Sequence, residues 1–199
     1  MATTYTSETE KVAAAPPPET RAPAKKAHTF ALAEVVLRFL LFASGLVAVL
    51  VMVTSKQTKY LSVPGIPYKI PRSAVFDHSP AFIYFVAALS VAGFYGLITT
   101  LFSLYALIKP GCCPKVLSHF VIFDVLLLGI VASATGSGGA VAYIGLKGNK
   151  YVNWGKICHM YGDFCKHVGA SIAVSLFGSV ILVLLVLLSI HSLSKRIPK

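Results

Sequence analysis

The stretch VLSHFVIFDVLLLGIVASATGSGGAVAYI, residues 116–144, decides the fold. It is apolar over more than the roughly 20 residues that a helix needs to cross a ~30 Å hydrocarbon layer. One acid, Asp124, sits near its start. A lone carboxylate in such a segment costs about 2.5–3.5 kcal/mol on insertion scales, so it calls for a partner. The matching group is Arg38, equally isolated in an earlier apolar run.

Three more runs have the same character, near 32–53, 81–108 and 168–191. The chain has 199 residues, of which 56% are hydrophobic and only 13% charged. Soluble domains carry about 25% charged residues, so a soluble fold is excluded. The fold class is an all-α membrane protein, a four-transmembrane-helix bundle with both termini on the cytosolic side. The net charge of +11 lies beside hydrophobic runs. Basic residues there act as interfacial anchors and contacts to membrane lipid, and nucleic acid is not a partner. The first apolar run is too long for a cleaved leader and reads as an uncleaved signal anchor.

Residues 1–30 are polar and alanine-rich with the tract Pro16-Pro17-Pro18, and they read as a disordered cytosolic tail. A docking role for the prolines is the alternative. The transmembrane domain spans 31–193, and 194–199 is a basic cytosolic tail. Between spans one and two, Pro64, Gly65, Pro67 and Pro71 break any helix, giving a loop of about 25 residues. Spans two and three are joined by the short turn Lys109–Lys115 and form an antiparallel hairpin.

Small residues recur at a spacing of four: Ala88, Ala92 and Gly96 in span two, Gly129, Ser133 and Ser137 in span three, Ser171, Ser175 and Ser179 in span four. Such ladders let helices approach closely in lipid. Gly136-Ser137-Gly138-Gly139 reads as close packing, with a flexible hinge as the alternative.

Lysine and arginine counts do not set the orientation: nine lie on the terminal side and eight on the loop side. Cysteines are more telling. Cys158 and Cys165 share one loop, as a disulfide in an oxidising compartment would; two free thiols on one helical face are the alternative. In a continuous helix their seven-residue separation would place the alpha carbons about 10 Å apart, so a bridge requires the chain to bend. Cys112 and Cys113, in the basic inner turn, suit palmitoylation. Both pairs place the termini inside.

With that topology, spans one and three run parallel. Arg38 and Asp124 then lie at a common depth of roughly 9–11 Å from the cytosolic side. Glu34, one turn before Arg38, competes for it. The pair reads as a clamp between helices; a proton or ion path is the alternative. Catalytic triads, metal-ligand spacings, phosphate-binding glycine loops and paired carboxylates are not found, and neither catalytic residue nor cofactor is expected.

The Arg in span one, the Asp in span three and the block Tyr151-Val-Asn-Trp154-Gly-Lys-Ile-Cys158-His-Met-Tyr161-Gly-Asp-Phe164-Cys165, running into Gly169-Ala-Ser171-Ile-Ala-Val-Ser175, resemble the Casparian strip membrane domain family of plants. That family is itself similar to MARVEL-type tetraspan proteins. The first outer loop departs from the Casparian strip pattern, which makes the chain similar to a Casparian strip membrane protein-like member. The resemblance implies a non-enzymatic plasma-membrane scaffold. Such a scaffold self-associates, as homo- or hetero-oligomers with related proteins, and recruits wall-modifying enzymes. Arg38 and Asp124 match the family's intramembrane pair, and Cys158 and Cys165 its loop cysteines. The rival function is a small channel or transporter subunit using the Arg38/Asp124 pair.

Overall fold

A computed structural model describes residues 21–62, 68–108 and 114–194. The proline tract, Cys112 and Cys113, and 195–199 of the basic tail lie outside the described residues. The chain order is α1 (Arg21–Thr54), β1 (Lys56–Leu61), β2 (Ile70–Val75), a short 3-10 turn (Phe76–His78), α2 (Pro80–Ile108), α3 (Pro114–Lys147) and α4 (Gly162–Ser194).

Four helices among the described residues are long and apolar enough to cross a membrane: Thr29–Thr54, Pro80–Ile108, His119–Lys147 and Gly162–Ser192. Each packs against the next in sequence, and α4 closes on α1, so α1 and α3 lie across the diagonal of a four-cornered bundle. Phe30 near the start of α1 meets His191 near the end of α4, ring centroids 6.1 Å apart. The first and last helices therefore begin and finish at the same end of the bundle. The core comprises Leu41, Met52, Phe85, Leu89, Leu127, Val131, Leu182 and Leu185, all buried. Outward positions such as Phe39, Leu50, Phe94, Leu101, Leu126 and Leu187 are large, apolar and more than half exposed. In water that would be one continuous sticky surface, whereas in lipid it needs no cover.

Helix limits differ from those read in the sequence. Helix α1 begins at Arg21, inside the stretch read as tail up to residue 30, because Ala22, Ala24, Lys25, Lys26 and Ala27 favour helix and Pro23 is tolerated in a first turn. Helix α4 begins at Gly162 rather than near 168, so Cys165 stands in its first turns. The Gly136–Gly139 segment is regular helix within α3.

The first loop is not irregular throughout. Strands β1 and β2 pair antiparallel, from Lys56 opposite Val75 to Leu61 opposite Ile70. Pro71 is accommodated because each strand of a two-stranded ribbon has a free edge. The hairpin is tied to α4. Gln57 accepts a bond from the Phe164 amide at 3.2 Å and donates to Asp163 at 3.4 Å. Gln57 thereby satisfies a first-turn amide that has no partner within its own helix. The Tyr161 hydroxyl donates to the Arg72 carbonyl at 3.1 Å.

Candidate functional site: an ion cluster across the bundle

Arg38 lies on the inward stripe of α1 between Leu41, one turn on, and Glu34, one turn back. Its side chain and that of Asp124 on α3 are fully buried. Nη2 of Arg38 stands 3.3 Å from Oδ2 of Asp124, and Nη1 lies 3.5 Å from Oδ1, an end-on fork that uses both carboxylate oxygens. The same guanidinium donates to Oε1 of Glu34 from Nη2 at 3.0 Å and from Nε at 3.3 Å. Glu34 therefore joins the pair rather than displacing Asp124. Its side chain keeps 20% exposure and is the wet end of the cluster.

Aromatic groups complete the enclosure. The Phe120 ring lies 5.3 Å from the guanidinium carbon, where the ring face attracts a desolvated cation. Tyr95 of α2 donates its hydroxyl to the Phe120 carbonyl at 3.3 Å, within electrostatic reach of both Arg38 and Asp124. Because α1 and α3 are diagonal neighbours, the long arginine side chain bridges the middle of the bundle between them. The cluster thus fixes all three of α1, α2 and α3.

The small residues divide into those at contacts and those that face out. Ala88, Ala92 and Gly96 are buried. A Cβ built on Gly96 would stand 3.3 Å from the Phe42 amide nitrogen, so α1 and α2 touch backbone to backbone there. Ser171 donates to the Ala48 carbonyl at 2.7 Å, joining α4 to α1. Ser175 is hydrogen-bonded to Thr135, joining α4 to α3. Ser133 is exposed, yet its hydroxyl meets that of Tyr84 at 2.9 Å. Gly129 needs correcting: it is exposed, and a Cβ there would meet nothing within 4 Å. At about 100° per residue it lies some 140° around the helix from Asp124, on the outward side.

Close contacts that no ladder announced occur at Gly45, whose Cβ would stand 3.3 Å from the Gly93 Cα, and at Gly178, 3.1 Å from Ser44 Oγ. Gly138, inside the Gly136–Gly139 segment read as close packing, is a third, 3.3 Å from the Phe85 ring. Gly45, Gly93 and Gly178 were visible as isolated glycines, without a four-residue repeat to mark them.

At the other end, Cys158 and Cys165 form a disulfide with alpha carbons 5.6 Å apart. The chain bends to allow it: Cys158 donates back to the Gly145 carbonyl at 3.0 Å, and α4 starts only after Tyr161. The Trp154 segment returns onto the end of α3 through paired bonds with Asn149, both 2.9 Å. Gly148, at φ +71°, makes that turn, and a Cβ there would lie 2.7 Å from the Trp154 carbonyl.

Four lipid-length helices around a buried ion cluster, with a disulfide-closed loop at one end, define a multi-pass membrane protein of the tetraspan type. The Casparian strip membrane protein domain matches residues 27–181, and the chain belongs to that family. Similar relatives include CASP-like protein IN26 of Ipomoea nil, 58% identical over 88% of this chain and 92% of its own length. CASP-like protein 1D1 of Populus trichocarpa is 59% identical over 83% and 84%. CASP-like protein 1D1 of Arabidopsis thaliana is 57% identical over 83% and 86%. No solved structure matches the chain.

Proposed function

We propose that this chain is a non-enzymatic plasma-membrane scaffold that self-associates, organises membrane subdomains and recruits wall-modifying enzymes at its loop face. Both termini are cytosolic in this reading, and the disulfide loop and hairpin face the wall. The observation that carries it is the closed ion cluster: Arg38 is shared between Asp124 and Glu34 and capped by Phe120. Charges spent on each other hold helices in place, and they are poorly disposed to pass an ion along. A self-associating membrane protein must also offer apolar surface to its copies, which the outward faces of all four helices supply.

Reconstitution of the full chain into sealed vesicles separates this from the channel or transporter reading. The scaffold gives no ion flux above empty vesicles, together with cross-linkable assemblies and slow diffusion of the tagged protein in plant cells. Flux that disappears with Asp124→Asn overturns it.

A further inference from the structure

Between the far ends of α3 and α4, beside Phe82 of α2, lies a crevice of about 270 Å³. Its walls include Leu146, Ile157, Phe164, Val168 and Ile172, and both disulfide cysteines border it. The lining is almost wholly apolar, so water has no set of partners there. Small-molecule pockets run to roughly 300–1,000 Å³, so this crevice is at the small end, with room for about one slender apolar chain.

Two glycines leave the room. A Cβ on Gly169 would meet nothing within 4 Å, and one on Gly139 only the Ile172 methyl at 3.9 Å. Gly169, Leu146 and Ile157 are exposed, so the crevice opens at the helix surface. Its inner residues belong to the membrane-spanning lengths of α3 and α4. At the rim the character changes: Lys147, Lys156 and Lys166 are exposed and adjoin lining residues, against one exposed acid, Asp163, which stands 3.6 Å from Lys166 and leaves the rim net cationic. An apolar slot under a cationic rim, at the level where helices leave the bilayer, matches an amphiphile with an acyl chain and an anionic oxygen cluster.

We propose that the crevice is a binding site for one phosphate-bearing membrane lipid, its acyl chain in the slot and its phosphate at the Lys147/Lys156/Lys166 rim. The test is native mass spectrometry of the full chain released from detergent, with dioleoyl phosphatidylglycerol, dioleoyl phosphatidylcholine or dioleoylglycerol added. One phospholipid per chain is retained, and the glycerol lacking phosphate is held at least ten-fold less. Gly169→Leu and Gly139→Leu each reduce phospholipid retention at least ten-fold, whereas Gly129→Leu, on the open outward face of α3, leaves it unchanged. Replacing the three rim lysines by glutamine brings phospholipid down to the diacylglycerol level. Equal retention of all three lipids, or equal effects of the Gly129 and Gly169 substitutions, overturns the proposal.

A second measurement needs no variant. Diazirine-bearing phosphatidylcholine cross-linked to the unaltered chain labels Phe164 and Ile172 several-fold more than outward residues such as Phe94 and Val180. Label spread evenly over all four overturns the site.

Discussion

Arg38 serves two carboxylates, so its loss and theirs have unequal consequences. Arg38→Leu leaves Asp124 buried without a counter-charge, and removing one member of such a pair costs about 3–5 kcal/mol. Asp124→Asn keeps a shape that still accepts from the guanidinium, and Glu34 retains its two bonds to it. The order of destabilisation is therefore Arg38→Leu, then Asp124→Asn, then Glu34→Gln, the last within about 1 kcal/mol because that residue is part-exposed. Denaturant titration in micelles, followed by circular dichroism, reads the order; Glu34→Gln as the most damaging change would contradict it. A second residue-scale prediction concerns Gly96 and Gly129. A side chain at Gly96 meets backbone that cannot rotate aside, so Gly96→Val costs about 1–3 kcal/mol, while Gly129→Val is near neutral. The same titration decides, and equal losses at both positions would refute the assignment of faces.

At the scale of elements, what was legible followed from periodicity and what was hidden followed from neighbours. Helices of 29 to 34 residues declare themselves because the membrane requires a length no loop imitates. Asp124 and Arg38 were legible because a charge in such a run is costly alone. A ladder of small residues marks a stripe but not the side it faces, which is how Ala88 and Gly129 came to look alike. The hairpin was hidden because Pro64, Gly65 and Pro71 read as breakers, and because in Lys56-Gln-Thr-Lys-Tyr-Leu only Gln57 and Leu61 are part-buried, so no alternation marks a strand. The anchor for Gln57 comes from α4, more than 100 residues away, and no local pattern carries it. Gln57→Ala removes both bonds and leaves the Phe164 amide unpaired. Amide exchange across Lys56–Val75 then quickens by about ten-fold, corresponding to a loss of about 1.4 kcal/mol, while α2 and α3 exchange as before. Unchanged exchange in the hairpin would show that Tyr161 alone holds it.

On the scale of the whole molecule, the bundle is polarised without being polarised in charge count. One end gathers the start of α1 and the end of α4; the other gathers the hairpin, the Trp154 turn and the disulfide. Along the sequence, lysine and arginine divide nine to eight between the terminal and loop segments, so the orientation rule based on positive charge has little to act on. A disulfide is different in kind, because it persists only where the compartment is oxidising. It closes the turn that sets the start of α4, and through Gln57 and Tyr161 it also steadies the hairpin, so the loop face is built as one unit around it. If that face is outside, sealed right-side-out plasma-membrane vesicles give no reaction with a membrane-impermeant maleimide until an impermeant phosphine is added. They then gain two labels, which peptide mapping places at Cys158 and Cys165. Inside-out vesicles under the same treatment leave those two cysteines unlabelled until detergent opens them. Labelling at Cys158 and Cys165 in the inside-out preparation alone would reverse the orientation, and with it the side on which the rim lysines and any wall partner could meet.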